Sequence, residues 1–194
     1  MTNGLFEFLN QHVQVSAADF SELMERVEPM SFEKKTFLTR IGDVEQRMYF
    51  IINGLARIYF YRGKDEVITL IGKEGLIVSS AVSFFNQTPS RYNVEALEPL
   101  SVLSITRENL ESLFKSDKKW EKIGRIMITH YFLLQELRLL DNIRYSTKER
   151  FVKFINENPD LVLRIPQKHL AAYLNIKPET FSRLKHLMVS NKHA

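Results

Sequence analysis

The chain has 194 residues, 44% of them hydrophobic and 26% charged, with 27 Lys and Arg against 23 Asp and Glu for a net charge of +4, a composition that supports one large or two small cores. The lack of any cysteine excludes disulfides, thiol nucleophiles, cysteine-ligated zinc and iron–sulfur clusters, and the histidines (His12, His130, His169, His186, His193) are scattered without metal-ligand spacing. No run of about 18 apolar residues exists and the first residues lack a basic segment followed by an apolar one, so neither membrane insertion nor export is expected and the default location is the cytoplasm.

Residues 1 to about 28 read as helical, with Leu5, Phe8, Leu9 and then Phe20, Leu23, Met24 and Val27 at helical spacing. Ser16 is positioned as an N-cap and Pro29 closes the region. From Met30 to Ile105 the pattern becomes short strands: Ser31 to Leu38, Met48 to Ile52, Ala56 to Tyr61, Val67 to Ile71, Tyr92 to Ala96 and Leu100 to Ile105. Asn53-Gly54 carries a strong hairpin signal because both residues tolerate positive φ, and Arg62-Gly63-Lys64-Asp65 marks the next turn, so consecutive strands are expected to be antiparallel neighbours. Many short strands with regular turns imply a β-sandwich or barrel-like roll. Gly75 to Ser90 breaks the rhythm and reads as a loop with a short helix set into the barrel. It is either an anion site, where free backbone amides collect, or a plain packing loop.

The next long element runs from about Lys118 to Asp141 after Asp117 as a cap. Ile123, Ile126, His130, Leu133, Leu137 and Leu140 follow spacings of 3, 4, 3, 4, 3, an a/d series, with Met127 and Leu134 widening the stripe. Two dozen residues give a rod of about 36 Å. It either joins two subunits along their length or serves as a core helix of a monomer. Ser146-Thr147-Lys148-Glu149 has capping-box spacing and opens a helix with Phe151, Phe154 and Ile155 on one side, stopped by Asn158-Pro159. Leu161 to Ile165 reads as a short extended piece.

From Pro166 to His186 the sequence spells two short helices. Pro166 suits a first helical turn, Leu170, Ala171 and Leu174 form an inner face, and Asn175 takes the left-handed conformation that ends the helix. Pro178 starts the second helix with Phe181, Leu184 and Leu187 inward and Glu179, Thr180, Ser182, Arg183 and Lys185 outward. This is a helix-turn-helix arrangement, whose second helix enters a DNA major groove; the alternative is a helical hairpin that merely packs. Arg183 matches guanine O6 and N7, Glu179 matches cytosine N4 and Ser182 serves either role, each good bidentate pair being worth about 1 to 3 kcal/mol of discrimination. Lys168, Lys177 and Lys185 are assigned to phosphates. Charge agrees: from Arg144 onward ten Lys and Arg face four acids, whereas residues 1–143 carry 17 against 19. A basic surplus so placed fits a polyanion partner, or else is a solvated basic surface.

Order of elements and C-terminal motif together resemble the CRP/FNR superfamily of transcription regulators over nearly the whole chain. Thr39-Arg40-Ile41-Gly42-Asp43 and Met48-Tyr49-Phe50-Ile51-Ile52-Asn53-Gly54-Leu55-Ala56-Arg57 resemble the family's glycine-marked turns and strands, and Glu179-Thr180-Phe181-Ser182-Arg183 resembles its recognition helix in the FNR-like Glu-x-x-Ser-Arg version. The resemblance implies an α+β fold. An N-terminal antiparallel β-roll, a cyclic-nucleotide-binding-like jelly roll with flanking helices, spans 1–117, a long dimerisation helix spans 118–143, and a C-terminal helix-turn-helix domain spans 144–194. It implies base contacts from Glu179, Ser182 and Arg183, and as partners double-stranded DNA, a second copy of the chain and RNA polymerase. The expected function is a homodimeric, DNA-binding regulator on an inverted repeat, not an enzyme. The alternative is a small-molecule-binding module that has lost DNA binding; a cupin-like enzyme lacks any His/Glu metal cluster or nucleophile–base pair.

The departures fall in the effector pocket, assigned to Gly75, Leu76, Ser79, Ser80, Ser90 and Arg91. Cyclic-AMP-binding members carry Gly-Glu-Leu and later Arg-Ser-Ala or Arg-Thr-Ala, the Glu holding ribose and the Arg the cyclic phosphate. Here Gly75 is followed by Leu76, and the Arg position falls on Ser90 with Arg91 one residue late, which on a strand turns a side chain to the opposite face. No cofactor is therefore expected: tight cyclic nucleotide binding in the usual manner does not follow from the motif, and an unknown small-molecule effector stays open. An effector, or its absence, would act on a hinge around Asn142 to Tyr145. With few residues after Leu187, no β-hairpin wing is expected.

Overall fold

A computed structural model of the chain describes residues 3–10 and 13–185. They fall into two compact units, one running up to residue 60 together with 70–129, the other comprising 61–69 and the residues from 130 on. These bounds differ from the expected three-part division. The long helix is shared between the units, and the tip of a β-hairpin groups with the C-terminal helices.

In the first unit, α1 (Asn3–Asn10) and α2 (Ala17–Met24) precede the strands. Ser16 caps α2 as expected, its side chain accepting the Asp19 amide at 3.2 Å while Asp19 accepts the Ser16 amide at 3.0 Å. Eight strands follow: β1 (Glu28–Phe32), β2 (Phe37–Thr39), β3 (Arg47–Asn53), β4 (Ala56–Arg62), β5 (Asp65–Gly72), β6 (Ile77–Val78), β7 (Asn93–Ala96) and β8 (Leu100–Thr106), with α3 (Ala81–Asn86) between β6 and β7. They form two four-stranded sheets, ordered β1-β8-β3-β6 and β2-β7-β4-β5, and Tyr49, Ile51, Ile58, Val94 and Val102 fill the core between them. This is the expected antiparallel jelly roll.

Two strand expectations need correction. The first concerns Ser31 to Leu38, which is two strands, and β1 begins at Glu28, so Pro29 sits inside a strand instead of closing the helices. The proline is tolerated because β1 is an edge strand, paired only with β8, where a missing donor costs no ladder bond on the open side. The second concerns Asn53-Gly54, which does not close a hairpin between neighbours: β3 and β4 lie in different sheets. Gly54 has φ +102, and a Cβ there would stand 2.4 Å from the Pro99 carbonyl oxygen, so glycine serves the crossing between sheets. The turn at Gly63, with φ +64, does join sheet neighbours, β4 and β5.

After β8, α4 (Arg107–Ser116) is capped by Thr106, whose hydroxyl accepts the Asn109 amide at 3.2 Å. Asp117 then accepts the Lys119 amide at 2.8 Å and so starts α5 (Lys118–Arg144) as expected. An ion pair of Lys119 with Asp19 fastens that start to α2.

The second unit contains α6 (Thr147–Glu157), α7 (Pro159–Arg164), α8 (Gln167–Tyr173) and α9 (Pro178–Leu184). Ser146 and Glu149 form the expected capping box. Leu161 to Ile165 is not extended: Pro159 opens α7 at its first turn, and Leu161 and Ile165, four residues apart, are both buried, as one helical face requires. Phe151 and Phe181 pack edge to face at 5.2 Å between ring centres, closing α6 onto α9.

Candidate nucleic-acid interface and effector site

α8 and α9 are joined by a tight turn. Asn175 takes φ +53, as its predicted left-handed role demands, and the Ile176 amide reaches back to the Ala171 carbonyl at 3.0 Å. Leu170, Ala171, Leu174 and Phe181 are buried as expected, and Leu184 is half-buried. Leu187 and the residues after it lie outside the described residues, as do His12, His186 and His193. Glu179, Ser182 and Arg183 are exposed on α9, one helical turn apart between Glu179 and Ser182 or Arg183, while Thr180 is half-buried and accepts from Arg183 Nη2 at 3.4 Å. Lys168, Lys177 and Lys185 are exposed around the pair.

Sequence reasoning missed what braces these helices. Residues 61–69 of the β4–β5 hairpin belong to this unit: Arg62 Nη2 donates to Asn175 Oδ1 at 3.3 Å, and Glu66 lies 3.6 Å from the buried His169. A cleft of about 590 Å3 runs between Arg62, Lys64, Lys168 and Lys177. The Arg138 guanidinium is buried, donating to the carbonyls of Thr69, of Ile68 at 3.0 Å and of Tyr173 at 2.9 Å. Burial pushes its pKa below the usual arginine value. The only sequence signal was an arginine interrupting an apolar stretch of α5.

α5 departs from a simple stripe. Ile123 is only 6% exposed and packs with Leu113 and Trp120 in the first unit, so it does not share a free face with the other members of the predicted series. Ile126 is half-buried and His130 exposed. Beyond them Leu133, Leu137 and Leu140 are each more than half exposed, joined by Phe132, Leu139 and by Ile143 at 76%. The expected hinge is bridged: Lys153 Nζ meets Asp141 at 2.6 Å and Arg150 Nη1 donates to Asn142 Oδ1 at 2.5 Å.

The expected effector residues divide. Gly75 and Leu76 pair with β3, the Gly75 amide donating to the Ile51 carbonyl at 3.0 Å and the Ile51 amide to the Leu76 carbonyl at 2.9 Å. Ser79, Ser80 and Ser90 are buried and engaged with the chain itself. The Ser90 hydroxyl donates to the Tyr92 carbonyl at 2.7 Å and lies 2.7 Å from the Ser80 hydroxyl, and Ser79 donates to the Arg47 carbonyl at 3.2 Å. Arg91 is exposed. Sequence reasoning overlooked Glu45, only 2% exposed, whose carboxylate accepts the Thr39 hydroxyl, the Arg47 amide at 3.3 Å and the Ser80 amide at 3.4 Å. Desolvation pushes its pKa up despite those donors. It equally missed Arg57, paired in register with Glu95 across β4 and β7 and bonded to it by Nε at 3.1 Å and Nη2 at 2.7 Å, both residues buried.

Residues 29–117 match the family model of the cyclic nucleotide-binding domain. That match covers the jelly roll. Around it the chain has the fold of the CRP/FNR regulators. FixK2 from Bradyrhizobium japonicum superposes with a TM-score of 0.74 at 19% identity over 86% of each chain. CLP from Xanthomonas campestris, described as a c-di-GMP responsive global regulator, gives 0.72 at 15% identity over 92% of this chain and 95% of its own. A transcriptional regulator from Eubacterium rectale attributed to the crp/fnr family gives 0.69 at 14% identity, over 91% and 85%. No curated protein matches the chain by sequence. Among the described residues no helix is long and apolar enough to cross a membrane. Within the jelly roll, the turn at Gly75 and the serines near α3 are held by the protein's own groups.

Proposed function

We propose that the chain is a homodimeric transcription regulator of the CRP/FNR type that binds an inverted-repeat DNA site through α9. The observation that carries this reading is the sidedness of α9: Phe181 is 1% exposed against its neighbours while Glu179, Ser182 and Arg183 are open to solvent. Those side chains suit base edges in the major groove, and Lys168, Lys177 and Lys185 suit the flanking phosphates. The apolar side chains exposed on α5 between Leu133 and Ile143 support pairing of two copies, because a cluster of large exposed apolar side chains marks an interface. Two recognition helices would then meet half-sites about 34 to 36 Å apart. Such a regulator works in the cytoplasm and acts on RNA polymerase.

The cyclic nucleotide-binding domain is proposed to have given up its nucleotide. Glu45 brings an internal carboxylate to the Ser80 amide, a donor a ligand phosphate would need, and Leu76 and Ser90 replace the family's Glu and Arg. Selection of bound duplexes from a random pool tests the main reading. The expected enrichment is an inverted repeat with half-site centres about 10 to 10.5 base pairs apart; no enrichment above the input pool would favour the alternative, a small-molecule module without DNA binding.

A further inference from the structure

Alternation along β3 and β8 puts Tyr49, Ile51 and Val102 between the sheets, and Phe50 and Leu103 on the outer face, in the cluster of the N-terminal helices, α4 and α5. That outer face is incompletely filled. A cavity of about 140 Å3 remains, walled by Phe50, Leu103 and Ile105 of the sheet and by Leu9, Leu113 and Trp120 of the helices. Every described residue lining it is apolar, and the Trp120 indole N–H, its one polar group, is turned to Glu22 at 3.2 Å. Water would find no partners there, and dry apolar cavities of about this size take up benzene or xenon.

We propose that this cavity, on the outer face of the β1-β8-β3-β6 sheet, is a binding site for a small neutral apolar molecule the size of a single aromatic ring. Close packing leaves few voids this large in a protein interior. This one also has a way in. Phe85 at the end of α3 and Ile128 on α5 line it yet are 42% and 56% exposed, so they mark an apolar mouth. Gly124 shapes the far wall: a Cβ there would stand 2.8 Å from the Phe114 ring, so glycine lets that ring lie flush against the helix. An occupant would touch α5 through Trp120, Ile123, Gly124 and Met127, two turns of the helix whose later part carries the exposed leucines. The site itself does not depend on the DNA-binding reading.

Trp120 is the chain's single tryptophan and provides the readout. Bromobenzene added to the full chain is expected to quench Trp120 fluorescence saturably at one molecule per chain, and at ten times its dissociation constant to raise the melting temperature by about 3 to 6 °C. Sodium bromide should not quench, because the indole is buried. Leu110 of α4 also lines the cavity, and Leu110→Phe, which fills it, is expected to weaken binding at least tenfold with the circular dichroism spectrum unchanged. Should that variant misfold, xenon on the unaltered protein decides: methyl resonances of Leu9, Leu113 and Ile123 shift, while those of Ile51 and Val94 between the sheets stay. Unsaturable quenching, equal affinity in Leu110→Phe, or xenon shifts spread evenly over both sets would overturn the proposal.

Discussion

The Arg138 guanidinium stacks on the Tyr173 ring at 3.9 Å and donates to the carbonyl of the same residue at 2.9 Å. One side chain of α5 thereby holds the end of α8, and through the Ile68 and Thr69 carbonyls it also holds the hairpin tip. Alanine at 138 leaves three carbonyls without their charged donor, at a cost of about 2 to 4 kcal/mol. Hydrogen exchange is the measurement: α8 amides are expected to lose protection while β3 and β8 keep theirs. Lysine keeps the charge but not the planar fork, so Arg138→Lys should fall between.

Arg57 and Glu95 form a buried pair, and removing one partner strands the other's charge. Arg57→Ala or Glu95→Ala is expected to lower stability in urea by about 3 to 5 kcal/mol. Replacing both, Arg57→Met with Glu95→Leu, should recover most of the loss, since two apolar groups need no solvation.

Glu45 predicts a pH dependence of definite sign. Its folded-state pKa is raised by burial above the unfolded value of about 4.3, so in the interval between those two values the native state binds the proton more tightly. Stability contributed by this group is thus greatest below the unfolded value and falls as pH rises to the folded one. Equilibrium unfolding across that interval should show the fall, and Glu45→Gln, which cannot ionise, should flatten it.

The apolar face of α5 can be tested by charge. Leu133→Asp with Leu137→Asp places carboxylates at positions that are already exposed in the single chain, 51% and 59%, so the fold of one copy should survive. Sedimentation is expected to change from dimer to monomer; a variant that sediments like the parent would remove α5 from the interface.

Much of this is legible in the sequence because it depends on local pattern. Asn175 between two apolar helix faces and Ser146 three residues before Glu149 announce themselves in short windows, and both stand where expected. What stays hidden depends on partners distant in sequence. Asn53-Gly54 looks like a hairpin because nothing local reveals that Pro99 crowds Gly54 and sends the chain to the other sheet. Glu45 and Arg57 resemble ordinary surface charges until Ser80 and Glu95 are brought beside them. Leu161 to Ile165 misleads because five residues fit a strand or a turn and a half of helix equally well, and only burial of both Leu161 and Ile165 decides.

Salt-dependent affinity for the selected duplex, measured by fluorescence anisotropy for the parent chain, Arg183→Ala and Lys177→Ala, tests the central proposal most directly. Arg183→Ala is expected to cost about 1 to 3 kcal/mol on the selected site and little on scrambled duplex, with relaxed preference at one base position per half-site. Lys177→Ala should weaken binding to both duplexes alike and reduce the salt slope by about one unit for each phosphate it leaves unneutralised. Equal affinity of all three proteins for the selected duplex at every salt concentration would contradict a DNA-reading role for α9.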